Sequence, residues 1–380
     1  MDNRVIRLKI LTGLIAVTAA LLLAGPPVHA GGWLPAAPMH RALVSPTATL
    51  LPGGDVLVVG AHGRPEIFSP SKGTWSLVSG ADPVQYNHTA TLLKDGRVLV
   101  AGGLNSSAAY LYDPVKGTWK AAASMGKARE SARAVRLGDG RVLVCGGVGR
   151  HDHVLASAEI YDPAANKWTP AAPMHHRRVD FTATLLPNGQ VLVAGGAGPR
   201  YRPTASAELF DPSKNKWTDA GSMSEPRLDQ TATLLDDGNV LVAGGSGPGR
   251  KALRSAELYN PATGKWKGTA SMKTGRSRQS AVRLKDGSVL VAGGKNRIQG
   301  YVRDVEIYHP GRGTWSVLES MAKPRCSAAG VLLEDGRAML LGGFGPGDRY
   351  LRTTLIYSPP EPPPAGAPAS SEQGAPPSGG

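Results

Sequence analysis

Residues 182–196 read TATLLPNGQVLVAGG, and after a loop the same segment continues as SAELFDP at 206–212 and KW at 216–217. Four other segments of the chain repeat this order of residues at an interval of 49. The interval is seen in the tryptophans that close the segments: Trp119, Trp168, Trp217, Trp266 and Trp315. A period in this range indicates a repeated supersecondary unit. Because such units bury their apolar faces only against neighbours, the array is expected to form one body.

Each unit is interpreted as four strands. The first is the TATLL segment, and the Asn188-Gly189 pair that follows readily supplies the positive φ angles of a two-residue hairpin turn. The second, VLVA followed by Gly-Gly, is a continuous apolar run, which is typical of a strand buried on both faces. The third ends at an Asp-Pro pair, because proline cannot donate to a strand ladder. The fourth is short and centred on the tryptophan, which is expected to pack between neighbouring sheets.

The number of units predicts the architecture. First strands of this type occur seven times and third strands seven times, the last of them at residues 354–359. Trp33 precedes the first unit, whereas the last unit has no tryptophan. A strand around Trp33 is therefore expected to become the outer strand of the last blade, which would remove the exposed edges of the array. The sequence predicts an all-β, seven-bladed propeller over residues 31–357.

Three features of the repeat resemble the kelch-repeat family: the Gly-Gly pair after an apolar strand, the tyrosine before Asp-Pro, and the tryptophan that closes each unit. The resemblance covers residues 33–357. The chain is similar in particular to secreted bacterial kelch proteins and, more distantly, to the propeller domain of galactose oxidase. The resemblance implies a kelch-type β-propeller. Activities in the family range from protein scaffolding to sugar oxidation, so the fold does not fix the chemistry.

The two ends of the chain have a composition unlike that of the repeats. Residues 1–30 have a basic start, an apolar core at residues 10–24 and Val28-His29-Ala30 as a small-residue cleavage pattern, which predicts an export signal peptide. The apolar run is too short for a comfortable membrane span. The protein is therefore expected to be secreted, to the periplasm or the exterior, without a membrane anchor after cleavage. Residues 358–380 are rich in Pro, Gly, Ala and Ser and are predicted to be disordered.

Charge and cysteine content narrow the class of protein. The formal net charge is +14, with 43 Lys and Arg against 29 Asp and Glu, which favours anionic partners. Only two cysteines occur, Cys145 and Cys326, so this is no disulfide scaffold, and each is expected to be a small buried residue. Nucleic acid is not the expected partner, because aromatic residues for base stacking are sparse and no helix for duplex reading is visible.

One face of the predicted propeller carries the variable loops. The loop between the second and third strands lies on the same face as the loop between blades, and variable loops on a rigid scaffold are where binding sites concentrate. Periodic charged residues on this face are expected to pair at each blade junction or to bind backbone carbonyls: Arg129, Arg178, Arg227, Arg276, Arg325, Glu159, Glu208, Glu257 and Glu306. Other bases, including Arg150, Arg200 and Arg297, break the period and make the rim electropositive. An anionic glycan or an acidic exported protein would be attracted, although a solvated rim with no dedicated ligand is the open alternative.

Positions that differ between otherwise similar units are the expected ligand contacts. Aligning the units on the Asp-Gly turn gives two such columns, where the innermost strand enters at the channel mouth. The candidates from these columns are Asn87, His88, Asp180, Asp229, Gln230, Arg278 and Gln279. Polar residues here could equally serve water that fills the channel.

Histidines are concentrated on the same face of the first four units. His151 and His153 flank Asp152 in one loop, and His175 and His176 begin the next junction, so a zinc or copper site is one hypothesis. Histidines that bind no metal are the alternative. The resemblance to galactose oxidase implies a copper site with two tyrosines, one cross-linked to cysteine, and two histidines. Here Tyr86 and His88 form the only suggestive pair, and no cysteine lies beside a candidate tyrosine.

The sequence thus predicts a secreted, monomeric, non-catalytic binding or scaffold propeller without a cofactor. Its expected partners are cell-envelope glycans or exported proteins, bound through the basic loop face. The alternative is an enzyme that acts on carbohydrates, either galactose oxidase-like or mutarotase-like. No nucleophile elbow, metalloprotease helix or phosphate-binding loop is present in the sequence.

Overall fold

The computed structural model describes residues 31–80 and 86–360. The chain divides into two units, one formed by Trp33–Tyr357 and the other by Met1–Gly32 with Ser358–Gly380. The predicted signal peptide and nearly all of the predicted disordered tail lie outside the described residues. No helix in the described part of the chain is long and apolar enough to cross a membrane.

Residues 33–357 form seven four-stranded antiparallel sheets, numbered here as blades in chain order. The outer strand of blade seven comes first in the chain and is β1 (Gly32–Ala36). Blade one consists of β2 (Val44–Leu50), β3 (Val56–Ala61), β4 (Glu66–Ser69) and β5 (Thr74–Leu77). Blade two consists of β6 (Thr89–Leu92), β7 (Val98–Ala101), β8 (Ala109–Asp113) and β9 (Thr118–Ala122). Blade three consists of β10 (Arg133–Arg136), β11 (Val142–Cys145), β12 (Ala158–Asp162) and β13 (Lys167–Ala171).

Blades four and five consist of β14 (Thr182–Leu185), β15 (Val191–Ala194), β16 (Ser206–Asp211), β17 (Lys216–Ser222); and β18 (Thr231–Leu234), β19 (Val240–Ala243), β20 (Ala256–Asn260), β21 (Lys265–Thr269). Blade six consists of β22 (Ser280–Arg283), β23 (Val289–Ala292), β26 (Val305–His309) and β27 (Thr314–Leu318), and its loop carries a short hairpin of β24 (Lys295–Asn296) and β25 (Gly300–Tyr301). Blade seven combines β1 with β28 (Ala329–Leu332), β29 (Ala338–Leu341) and β32 (Thr354–Ser358), and its loop carries a hairpin of β30 (Phe344–Gly345) and β31 (Arg349–Tyr350). Single 3-10 turns cover Arg150–Asp152, Pro199–Tyr201, Pro248–Arg250 and Pro346–Asp348.

The ring closes as the sequence predicts. The last sheet has the strand order β1-β32-β29-β28, so the first strand of the propeller forms the outer edge of the final blade. The rings of Trp33 and Tyr357 lie 5.4 Å apart. Each inner strand contacts the inner strand of the next blade all the way round, including β28 with β2. Closure in this way leaves no blade without neighbours on both sides.

The repeated residues explain why each blade forms. In blade five the Asp237-Gly238 turn is closed by the Leu235 backbone N–H, which donates to the carbonyl of Asn239 at 2.9 Å, and Gly238 has φ +81°. The second strand, Val240–Ala243, is buried throughout, as its apolar run predicts. The Trp266 indole N–H donates to the carbonyl of Ala220 in the preceding blade at 2.9 Å. Tryptophan therefore links neighbouring sheets, which confirms its predicted role.

The periodic arginines and glutamates form buried clamps at the blade junctions. In blade six the Arg276 guanidinium lies 2.6 Å from the Glu306 carboxylate and also donates to the carbonyls of Gly293 and Asp304. The same carboxylate accepts the backbone N–H groups of Lys273 and Thr274. Equivalent ion pairs are Arg129–Glu159, Arg178–Glu208 and Arg227–Glu257. The predicted junction pairing is thus confirmed in blades three to six.

Blades one, two and seven depart from this pattern, and in blade two Tyr110 stands at the position of the glutamate. In blade seven the position of the glutamate is taken by Leu355, so Arg325 donates only to Gly342 and Thr353, and burial lowers its pKa to about 10. In blade one the buried Glu66 is paired with His40 at 2.7 Å instead of with an arginine. Both cysteines are free and buried, as expected, and burial raises the pKa of the Cys145 thiol to about 12.

The variable loops and the loops between blades meet on one face. Residues just before an inner strand pair with residues just after a second strand, as in Val179 with Ala197, Leu228 with Ser246 and Ser277 with Lys295. The side of the propeller that carries these pairs is called the loop face below. This arrangement is the one predicted from the order of strands.

Candidate ligand-binding site

The residues that enter the inner strands form a ring at the centre of the loop face. One residue from each blade has φ between +47° and +56°: Ser45, Asn87, Ser131, Asp180, Asp229, Arg278 and Ser327. Four successive pairs are linked by backbone hydrogen bonds of 2.8–3.0 Å: Asn87–Ser131, Asp180–Asp229, Asp229–Arg278 and Arg278–Ser327. In each of them the N–H of the later residue donates to the carbonyl of the earlier one. We call these seven residues the mouth ring. They are the first of the two variable columns in the sequence.

A cleft of about 990 Å³ opens beside the mouth ring between the loops of blades four, five and six. Three ring residues line it, namely Asp180, Asp229 and Arg278. The loops contribute further charged and aromatic side chains, which are Arg200, Tyr201, Arg202, Arg250, Lys295 and Arg297. We call this the mouth cleft. Six cationic side chains therefore stand around two carboxylates.

The two carboxylates in the mouth cleft differ in their surroundings. Asp229 is paired with Arg278, whose Nε lies 2.9 Å from Asp229 Oδ2. The carboxylate of Asp180 has no hydrogen-bond or ion-pair partner among the described residues. Burial and the neighbouring charge of Asp229 raise the pKa of Asp180 to about 6, against the opposing effect of Arg133 and Arg278. The cleft thus holds one ion-paired carboxyl group, Asp229, and one unpaired carboxyl group, Asp180, whose pKa is raised.

This difference predicts a pH-dependent gain in stability for Asp180→Asn. Because its folded-state pKa is raised from 3.8, ionised Asp180 destabilises the folded protein above about pH 6, and this cost disappears as the pH falls to about 4. We expect Asp180→Asn to raise the free energy of unfolding on the order of 2–3 kcal/mol at pH 7.5 and hardly at all at pH 4. Urea denaturation at both pH values measures this. An equal gain at both would contradict it.

The other residues that sequence variation singles out lie elsewhere on the ring or beneath it. Asn87 occupies the ring in blade two, where its amide donates to Glu130 and accepts from Ser45. His88 Nε2 lies 2.9 Å from the Thr47 hydroxyl. Gln230 and Gln279 are buried and donate to the carbonyls of Ala194 and Ala243 in the preceding blades at 2.8 Å. Arg150 stands on the loop of blade three, outside the residues that line the mouth cleft.

Arg133 is a residue of the channel that sequence variation did not select. It occupies an inner-strand column filled by small or hydroxyl-bearing residues in the other blades: Thr47, Thr89, Thr182, Thr231, Ser280 and Ala329. Its Nε donates to the carbonyl of Phe181 at 2.7 Å, and its guanidinium lies 5.9 Å from the centre of the Phe181 ring. The sequence feature that could have identified Arg133 is an arginine at a position where the other blades carry small residues, because such a long side chain must extend into the channel.

The histidines considered for metal binding do not form a ligand set in the described residues. No group of three His, Cys, Asp or Glu side chains there is placed to hold a metal ion. His151 and His153 lie at a 3-10 turn of blade three. His175 lies 3.1 Å from Glu208, and the backbone N–H groups of His175 and His176 donate to the same carboxylate. Glu208 is already occupied by the clamp with Arg178.

The residues present also do not fit a copper-radical centre of the galactose oxidase type. Tyr86, suggested with His88, instead forms a hydrogen bond with His62, whose ring is 5.1 Å from that of Tyr86. Cys145 is fully buried in a hydrophobic cluster of blades three and four, away from both. A cross-linked tyrosine and cysteine beside two histidines is not assembled in the part of the chain that the structure describes.

Comparisons with known proteins agree with this architecture. A family model described as Kelch motif matches residues 131–175, 181–224, 230–273 and 276–322. Among solved structures, a fungal alcohol oxidase of the AA5 family in complex with copper superposes with a TM-score of 0.75 at 20% identity, over 87% of this chain and 77% of that one. YjhT superposes with a TM-score of 0.58 at 18% identity, over 71% of this chain and 93% of that one.

No curated protein matches the chain. At these identities the two structures show a shared fold and leave the chemistry open. The matched motifs, the seven sheets and the closure by β1 all lead to one assignment. The chain is a seven-bladed β-propeller whose blades three to six carry kelch motifs.

Proposed function

We propose that the protein is an exported, monomeric binding module that holds an acidic glycan of the cell envelope in the mouth cleft. The observation that carries this proposal is the concentration of six cationic side chains around a concave site at the channel mouth. A cleft of about 990 Å³ is in the range of sites for small molecules or short sugar segments. A protein partner would need a larger and flatter contact.

The charges on the cleft are available to a ligand. Arg200, Arg202, Arg250 and Arg297 are exposed, and none of the four forms an ion pair within the described residues. Exposed cations that converge on one cleft attract anions over several ångströms and fix the orientation of a bound acidic group. Export follows from the predicted signal peptide in residues 1–30 and supports a partner outside the cytoplasm.

The experiment is salt-dependent retention on an immobilised acidic polysaccharide, with polygalacturonate as the probe. We expect the triple variant Arg200→Gln, Arg250→Gln, Arg297→Gln to elute at much lower salt than the unmodified protein, because screening competes with fewer ion pairs. A matched control removes three positive charges from turns on the opposite face, at Lys116, Lys214 and Arg312. Equal loss of retention in both variants would show that only net charge matters and would overturn the assignment to the mouth cleft.

An enzyme that acts on carbohydrates is the second candidate. The observation in its favour is that two carboxyl groups share one cleft in different environments: burial raises the pKa of Asp180, whereas Asp229 is ion-paired with Arg278. Incubation of oligogalacturonate with the protein, followed by NMR of the sugar signals, tests this. New anomeric signals that disappear in Asp229→Asn would favour the enzyme over the binding module.

A further inference from the structure

The unpartnered carboxyl of Asp180 lies where an acidic ligand would approach it. It lines the mouth cleft together with Arg200 and Arg297, which would draw a ligand's anionic group inward. An ionised Asp180 would repel that same group. The site therefore combines an attractive rim with a carboxyl group on its floor that must lose its charge for an anion to bind closely.

We propose that Asp180 recognises the carboxylate of an acidic sugar by donating its own carboxyl proton to it, so that binding takes up one proton from solvent. This inference rests on the proposed function and names the class of ligand as a carboxylated pyranose of the uronic acid type. The hydrogen bond formed is O–H to carboxylate, which is among the strong charge-assisted kind. The proton returns to solvent when the ligand dissociates.

The groups around Asp180 support protonation at this carboxyl in preference to its neighbours. The charged and titratable residues that face it are Asp229, Glu130, Arg133, Arg278, Tyr201 and Arg200. Asp229 is already paired with Arg278, whose Nε lies 2.9 Å from Asp229 Oδ2. Glu130 already accepts a hydrogen bond from the Asn87 amide at 3.1 Å. Among these carboxyl groups, Asp180 alone lines the cleft without a hydrogen-bond or ion-pair partner in the described residues.

The arrangement also favours carboxylate over neutral sugars. A neutral pyranose supplies no anion for the arginines, and a carboxylic acid at Asp180 gains little from a neutral acceptor. A bound carboxylate adds one more negative charge beside Asp180 and raises the pKa of that carboxyl further. Binding and protonation are therefore coupled, and each strengthens the other.

Isothermal titration calorimetry with oligogalacturonate at pH 7.5, in buffers of different ionisation enthalpy, measures the protons taken up. We expect close to one proton per ligand bound. The dissociation constant should fall up to roughly tenfold for each unit by which the pH is lowered towards 6. Asp180→Asn should take up no proton and bind at pH 7.5 as tightly as the unmodified protein binds near pH 6, because its amide is a permanent donor. Asp152→Asn, an acid on a neighbouring loop outside the cleft, is the control and should behave as the unmodified protein.

The outcomes separate this inference from the proposed function. If the protein binds oligogalacturonate in a salt-dependent way without proton uptake, or if Asp180→Asn keeps the uptake, the role of Asp180 is overturned and the binding function stands. If neither the unmodified protein nor Asp180→Asn binds oligogalacturonate, although circular dichroism shows that both are folded, both proposals are overturned.

Discussion

Arg276→Met is expected to lower the free energy of unfolding by about 3–5 kcal/mol, because it leaves the carboxylate of Glu306 buried without a counter-charge. Both side chains are almost completely buried, with Arg276 at 0% and Glu306 at 1% exposed. The Arg276 guanidinium also donates hydrogen bonds to two backbone carbonyls of blade six, so the substitution leaves these acceptors without their donor as well. Chemical denaturation at pH 7 measures the loss.

The double variant Arg276→Met, Glu306→Leu tests the physical reason. Removing both charges abolishes the uncompensated carboxylate, so part of the stability should return. Recovery should be incomplete, because the backbone N–H groups of Lys273 and Thr274 then lack the acceptor that Glu306 provided. Blade seven already has the apolar version of this position, where Leu355 stands in place of the glutamate.

Arg337→Met is the matched control for this prediction. Arg337 also pairs with an acid, Asp335, at 2.6 Å, but its side chain is 33% exposed. Exposed pairs of this kind contribute at most about 1 kcal/mol. If Arg276→Met costs no more than Arg337→Met, the junction clamps do not hold the blades as the geometry indicates.

Gly195→Ala is expected to lower the free energy of unfolding by about 3–4 kcal/mol, since it combines backbone strain with a steric clash. Gly195 has φ +63°, and a Cβ atom there would lie 2.6 Å from the carbonyl oxygen of Arg227. That oxygen accepts the N–H of Gly196 and belongs to the backbone of the next blade, so it cannot move aside freely. In blades two to six the first glycine of the Gly-Gly pair is thus required for the close approach of the next blade's backbone.

Gly264→Ala isolates the strain from the clash. Gly264 has nearly the same φ, +67°, but lies in a turn where an added Cβ would meet nothing within 4 Å. The free energy of unfolding should fall only by the cost of the left-handed backbone conformation, about 1–2 kcal/mol. The measurement is the same denaturation series. Equal losses for the two variants would mean that contact between blades does not explain the Gly-Gly pair.

The architecture could be predicted from the sequence because each repeated position has one local structural role. The Asp237-Gly238 turn, the buried strand Val240–Ala243 and the bridge from Trp266 to the preceding blade all follow from residue type and spacing. The exceptions were less predictable. In blade one Leu43 stands at the arginine position, and Glu66 pairs with His40 instead. In blade seven Leu355 stands at the glutamate position, so Arg325 has no acidic partner in the described residues.

The candidate site could be predicted from the sequence only in part. Variation between units points to Asp180, Asp229 and Arg278, and the structure brings them into one cleft with Arg200 and Arg297. Variation points equally to Gln230 and Gln279, yet their side chains turn away from the cleft region to bind backbone carbonyls. Both columns vary between units in sequence, and only the structure shows that residues of the mouth ring line the cleft whereas Gln230 and Gln279 do not.

The amino-acid sequence by itself determined the number of blades, their strand order, the closing strand and the loop face, since all of these depend on a local pattern repeated at a fixed interval. Tertiary structure alone decided which charges meet. Asp229 and Arg278 are 49 residues apart and become partners because inner strands converge on the propeller axis, where one ring position touches the next. The same convergence leaves Asp180 without a hydrogen-bond or ion-pair partner in the described residues, and this difference between two identical side chains underlies the proposed uptake of a proton on ligand binding.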